Sequence, residues 1–315
     1  MEARPKHSRP RRLAWGAVLP ACVPACVLVC AAACGTAPAT TPTSQQTSTT
    51  ATPTTPISTA TATPERELPA PDEKIPTTAA KLAATLEETT EALNASIDAW
   101  SKDGEPPEDL ELLALHQQRI YRYAARHPAL AAKAFARLPK ALAAQARDNT
   151  EAIRGLLALA HPIDPDAVFK TQPARPAGEL LGYFKKAERK FGVEWEVLAA
   201  VMFSETKFGR VKADSHVGAQ GPMQFMPATW KAYGMGGDVR DPRDAVMGAA
   251  NYLKASGAPR DYRRALHAYN PSQAYVNAIL LHAGQIKRDP RAYYAYYTWQ
   301  VYVITTAGER RLTGP

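Results

Sequence analysis

The sequence predicts a mainly α protein, and three observations carry that expectation. From residue 77 onward, apolar residues recur at helical spacing through most of the chain. One short stretch near the C-terminus, Gln300–Thr305, is β-prone, and the Ala307-Gly308 turn follows it. All four cysteines, Cys22, Cys26, Cys30 and Cys34, fall in the first 34 residues. The rest of the chain therefore has neither a disulfide framework nor a cysteine metal site, and must fold on its hydrophobic core.

The elements follow in order. Residues 1–34 have the layout of an export signal: a basic start, an apolar run from Leu13, and Ala31-Ala32-Ala33 before Cys34. Pro20 and Pro24 argue against a stable membrane-spanning helix there. Cys34 after three alanines resembles a lipoprotein processing site, which implies a lipid on that cysteine and an exported protein anchored in the cell envelope; simple secretion with cleavage nearby stays open as the other reading. Residues 35–76 are dominated by Thr, Pro, Ala and Ser, too poor in large apolar residues to fold alone, so they read as a disordered, extended tether.

Residues 77–172 read as a helical module. Leu82, Leu86, Leu93, Ile97 and Trp100 mark a first helix. Gly104, Pro106 and Pro107 break it, and Glu108-Asp109 open a second that runs to His127-Pro128. Alanine-rich helices over 129–147 and 150–160 are expected to follow, the latter capped at Asn149-Thr150. His116, His127 and His161 are spaced too irregularly for a metal face, and the module carries no catalytic motif. Residues 166–175 look like a hinge. A further domain spans 173–285, and an aromatic extension, 286–315, ends the chain in a short hairpin.

The formal net charge is +8, and Arg4, Lys6, Arg9, Arg11 and Arg12 against Glu2 supply half of it. The remainder is mildly basic and suits a polyanionic partner. No basic stripe with interleaved aromatics points to nucleic acid.

The chemistry concentrates in Val197–Trp230. The apolar helix Val197–Phe203 delivers one acid, Glu205, at its C-terminal end, and Phe208-Gly209 stop it. Burial and the negative end of the helix both disfavour the carboxylate, so the carboxyl should stay protonated at neutral pH. A neutral carboxyl is what general-acid cleavage of a glycosidic bond requires. Gly221-Pro222-Met223-Gln224-Phe225-Met226-Pro227 combines a close-approach glycine with an amide that can pair with an N-acetyl group.

Glu205-Thr206-Lys207-Phe208-Gly209, Gly218–Trp230 and Ala268-Tyr269-Asn270 together resemble the three motifs of the lytic murein transglycosylases of the soluble-lytic-transglycosylase and goose-type-lysozyme clan. The resemblance implies a lysozyme-like catalytic domain that acts on peptidoglycan glycan strands without cofactor or metal. It implies Glu205 as sole acid/base. Ser215, Gln224, Met226, Tyr269, Asn270 and Tyr275 fall at substrate-contacting positions, with the Tyr269 hydroxyl near the acid. The product implied is a 1,6-anhydro-MurNAc end. Two other readings stay open. Asp214 could hold a water and make the enzyme a hydrolysing muramidase, or it could simply cap the loop around Ser215. The domain could also be a catalytically idle wall-binding scaffold.

Overall fold

The computed structural model describes residues 67–215 and 217–315. The export signal, Cys34 and the tether as far as residue 66 lie outside the described residues. Residues 67–76 form neither helix nor strand, yet they lie against the folded part. Arg119 donates to the Glu73 carbonyl at 2.7 Å, Arg311 donates to the Pro71 carbonyl at 3.2 Å, and Ile75 packs on the core.

The described residues form eleven helices and one antiparallel hairpin. Helix α1 (Ala79–Ala99) buries the stripe of Leu82, Leu86, Leu93 and Ile97 expected from the periodicity. Helix α2 (Glu108–Arg126) opens with three acids in its first turn, where the helix dipole favours them. Pro128 cannot continue α2 but fits the first turn of α3 (Pro128–Phe135), so the chain turns at His127.

Helix α4 (Lys140–Leu157) corrects one expectation. The break falls at Leu138-Pro139, because proline disfavours a helical conformation in the residue before it. Asn149 and Thr150 lie buried in mid-helix and do not cap it. The Asn149 side chain accepts a hydrogen bond from the Tyr296 hydroxyl at 2.5 Å. A tertiary partner 147 residues away thus takes up the polarity that looked like a capping signal.

Helix α5 (Ala177–Phe191) ends at Gly192 in the left-handed region, with φ +71°. Helix α6 (Trp195–Thr206) is the hub. Every residue from Val197 to Phe203 is buried, so it has no polar stripe and must be surrounded. It packs against α5, α8 (Pro242–Ser256), α10 (Gln273–Arg288) and α11 (Arg291–Thr298). Helix α10 also packs on α4, which joins the N-terminal helices to the C-terminal half. A smaller lobe holds α7 (Pro227–Tyr233), α8 and α9 (Tyr262–Tyr269). There Gly248 lets Trp230 lie against α8, since a Cβ at 248 would sit 2.6 Å from the indole ring. Asp241 caps α8 by accepting from the Asp244 amide at 3.0 Å, and Asp261 caps α9 through the Arg264 amide at 2.9 Å.

The aromatic extension binds the two halves together. Tyr293 donates to the Ala177 carbonyl at 2.8 Å, and its ring meets Phe208 edge-on at 5.5 Å. Tyr296 stacks on Phe203 of α6 at 4.8 Å. Tyr297 stacks on Trp100, just past α1, at 6.1 Å. These rings bury large apolar area while their hydroxyls find carbonyl or amide partners. The predicted hairpin forms from β1 (Tyr302–Thr305) and β2 (Gly308–Arg311), with Thr305 opposite Gly308.

The segment expected to be a hinge is pinned at both ends. Ile163 pairs with β1, its amide donating to the Ile304 carbonyl at 3.0 Å. At the other end Thr171 bridges Val211, and the Lys212 amide donates to the Lys170 carbonyl at 3.0 Å. Arg310 of β2 donates to the Pro165 and Ala167 carbonyls between them.

Candidate active site

Three consecutive residues with positive φ, Lys207, Phe208 and Gly209, turn the chain sharply out of α6. Glycine adopts that geometry freely, whereas Lys207 and Phe208 need compensation. Phe208 finds it by burying its ring among Phe184, Phe203, Tyr293 and Tyr297. Its amide also reaches back to the Met202 carbonyl at 3.2 Å. Thr206 ties this turn to the second motif: its hydroxyl donates to the Pro222 carbonyl at 2.7 Å and accepts from the Gly209 amide at 2.9 Å.

The turn leaves Glu205 half-buried on the wall of a cavity of about 300 Å³. Burial raises its carboxyl pKa to about 7, against the opposing pull of the Tyr275 hydroxyl and the Lys207 charge. The Tyr275 hydroxyl donates to Glu205 Oε1 at 2.6 Å. The acid is therefore poised between its two protonation states near neutrality, as a group that must both give and take a proton should be. Among the described residues that line the cavity, Glu205 is the only carboxylic acid.

The other residues singled out in the sequence arrive as follows. Ser215, Gln224, Met226, Tyr269, Asn270 and Tyr275 all line the cavity. Gln224 sits in the left-handed region, φ +50°, in a tight loop closed by reciprocal hydrogen bonds between the Gln220 and Phe225 backbones at 2.9 and 2.8 Å. Its side-chain amide donates to the Gly221 carbonyl at 2.9 Å, which fixes its direction. Ser215 Oγ accepts from the Ala219 amide at 2.8 Å and so shapes its loop. Tyr275 on α10 is hydrogen-bonded to the acid, and the Tyr269 hydroxyl donates to the Met223 carbonyl at 2.6 Å and braces the second motif. Asn270 lies at the end of α9, with its Oδ1 buried and lacking a hydrogen-bond partner.

Asp214 goes elsewhere. Its two oxygens receive a bidentate pair from Arg240 at 2.8 Å each, and it does not line the cavity. Among the described residues, no three His, Cys, Asp or Glu come together to hold a metal ion.

Sequence reasoning missed part of the wall. Ile153, Leu156 and Leu157 of α4 and Tyr302, Val303 and Ile304 around β1 line the same cavity. The helical module and the hairpin thus help build the site, although neither carries a motif. Lys207 was also missed, although it lies inside the first motif. Its ammonium lies 4.2 Å over the Phe203 ring and donates to the Phe203 carbonyl at 3.0 Å. Only the left-handed turn, invisible to periodicity, brings it back over the end of α6. Behind Phe203, His282 is buried, its pKa lowered to about 3 by desolvation and by Lys207, so it stays neutral.

An acid of raised pKa in a cavity, an amide fixed by a tight loop and a tyrosine on the acid fit glycan cleavage. Residues 182–288 match the family model of the Transglycosylase SLT domain, whose members are peptidoglycan lytic transglycosylases, and the chain carries that lysozyme-like, glycan-cleaving enzyme domain.

Proposed function

We propose that this enzyme cleaves the MurNAc-β-1,4-GlcNAc bond by a transfer within the sugar itself, with Glu205 as its only acid/base. The carboxyl donates its proton to the bridging oxygen as the C1–O bond breaks. The resulting carboxylate then takes the proton of the same MurNAc's C6 hydroxyl, whose oxygen bonds to C1. The products are a 1,6-anhydro-MurNAc end and a free GlcNAc hydroxyl. Water is not consumed, and Glu205 ends protonated as it began. The observation that carries this reading is the lone carboxylic acid among the described cavity residues, with Asp214 committed to Arg240. A glycosidase that activates water usually needs two carboxyl groups facing the scissile bond. Gln224, Asn270 and Ser215 are assigned to the sugar's acetamido groups, and Met226 to the apolar ring face. Tyr275 steadies the acid, and Tyr269 holds the second motif against it.

Mass spectrometry of digested glycan strands tests the reaction directly. Anhydro ends are expected; reducing MurNAc ends would replace this reading with hydrolysis. The first step needs the neutral carboxyl, so kcat/KM is expected to fall as pH rises through about 7. Tyr275→Phe removes a donor that favours the carboxylate, so it should raise the acid's pKa further. The alkaline limb of the pH–rate profile is then expected to move to higher pH. A limb that stays in place or moves down would place another group in control of it.

We also propose that the protein is exported and anchored in the envelope through a lipid on Cys34, with residues 35–66 as a tether to the glycan layer. Labelling with a radioactive fatty acid should tag the wild type and leave Cys34→Ser unlabelled.

A further inference from the structure

Lys207 is a cation drawn into the wall of the active-site cavity. Its ammonium has three donors, of which one reaches the Phe203 carbonyl at 3.0 Å. Among the described residues it makes no ion pair. Arg122 of α2 lines the same cavity. The Arg122 guanidinium lies 4.4 Å over the Tyr302 ring and pairs with Glu309 of β2, while its Nε is buried without a hydrogen-bond partner. Burial and the Arg122 charge both lower the Lys207 pKa, to about 7, while the Glu205 charge partly offsets them. Two cations facing one cavity with donors to spare fit an anionic ligand better than an empty site, because a buried ammonium is costly unless an anion meets it.

Lys207 lines the same cavity as Glu205 and its charge acts on that carboxyl, so a ligand of Lys207 lies close to the reacting sugar. The MurNAc that reacts at C1 also carries, on its C3 oxygen, a D-lactyl arm that ends in a carboxylate or in a stem peptide bearing carboxylates. We propose that Lys207, with Arg122 behind it, forms an anion subsite that receives a carboxylate from this lactyl arm. The inference rests on the glycan-cleaving reading and deepens it. It makes Lys207 a substrate-binding residue that selects for muramoyl glycan over uncharged amino-sugar chains.

The test compares three substrates: peptide-free glycan oligosaccharides with free lactyl acids, the same oligosaccharides with those acids converted to methyl amides, and peptide-bearing strands. A hydrogen bond between charged groups supports a preference of about ten- to a hundredfold. Wild type is expected to cleave the acid form or the peptide-bearing form over the amide by that factor, mainly through KM. Preference for the peptide-free acid identifies the lactyl carboxylate itself. Preference for peptide-bearing strands alone identifies a stem-peptide carboxylate. Lys207→Met should bring the preference close to one, Arg122→Gln should reduce it, and Lys207→Arg should restore most of it. If Lys207→Met slows all three substrates by the same factor, or changes only the pH–rate profile, the subsite is wrong and Lys207 merely tunes Glu205. If Lys207→Arg, folded by its thermal melt, loses preference as fully as Lys207→Met, the charge is not what is read. If wild type is inactive on every strand, the reaction itself is wrong and the subsite falls with it.

Discussion

Glu205→Gln is expected to lower the rate of glycan cleavage by at least about 1000-fold while leaving the protein folded. A positioned acid/base contributes about a hundred- to ten-thousandfold to catalysis, and here the same group is assigned both proton transfers. The amide cannot donate a proton to the leaving oxygen, nor take one from the C6 hydroxyl. It can still accept from the Tyr275 hydroxyl, which now lies 2.6 Å from Oε1, so the local geometry should survive.

The variant's stability should also carry a pH signature. Glu205 keeps its proton in the folded state up to about 7, whereas an ordinary glutamate loses it near 4.5. Between those values the folded state binds more protons than the unfolded state, so wild-type stability falls as pH rises across that window. Below it both states are protonated, and above it the full cost of burying the charge is present. Glutamine does not titrate. Thermal melts should therefore show Glu205→Gln gaining on wild type from pH 4.5 to 7, with the difference level beyond. A difference that stays constant across the window would mean that the carboxyl sits in water-like surroundings, and the proposed mechanism would lose its basis. Retention of cleavage within a few-fold would exclude Glu205 as the acid outright.

Gly221→Ala is expected to be the most damaging small substitution in the site. Gly221 has φ +72°, and a Cβ there would lie 1.9 Å from the Val239 carbonyl oxygen. No rotamer relieves such a clash, because the backbone fixes where the Cβ sits and the Val239 oxygen is itself backbone. The loop must move, and with it Gln224, whose amide leans on the Gly221 carbonyl, and Met226 beyond it. Gly218→Ala is the natural control. It shares a positive φ of +85°, but nothing lies within 4 Å of the added methyl. The control should cost about 1 kcal/mol, the usual penalty for a side chain in the left-handed region. Gly221→Ala should cost roughly 3 kcal/mol or more, by adding overpacking to that penalty. Urea unfolding measures both. If the two variants fall within about 1 kcal/mol of each other, the loop absorbs the methyl and the close approach of Val239 has no energetic meaning. Activity of Gly221→Ala is expected to fall further than its stability, since the displaced loop carries the proposed acetamido contact.

The sequence by itself determined the features that depend on a few neighbouring residues. An all-apolar helical run ending in Glu205-Thr206-Lys207-Phe208-Gly209 can only be a buried helix that stops there, and α6 does both. In Gly221–Pro227 a glycine that admits left-handed backbone is combined with prolines that fix φ, and the paired Gln220 and Phe225 backbones close a tight loop there. The Ala307-Gly308 turn identified the hairpin in the same way.

Tertiary structure alone decided which distant groups meet. Tyr269 and Tyr275 are indistinguishable as side chains, and each sits near an end of a helix. Only the packing of α10 against α6 brings the Tyr275 hydroxyl to the acid, while that of Tyr269 reaches the Met223 carbonyl. Asp214 could face either way from its loop until Arg240, 26 residues on, took both its oxygens. Asn149 looked like a cap until Tyr296 claimed it, and α4 became a wall of the site only because it packs on α10, which itself packs on α6. The division has a physical reason. Backbone conformation is set by sterics over a handful of residues, whereas hydrogen bonds and burial between segments depend on distances that no short-range pattern encodes.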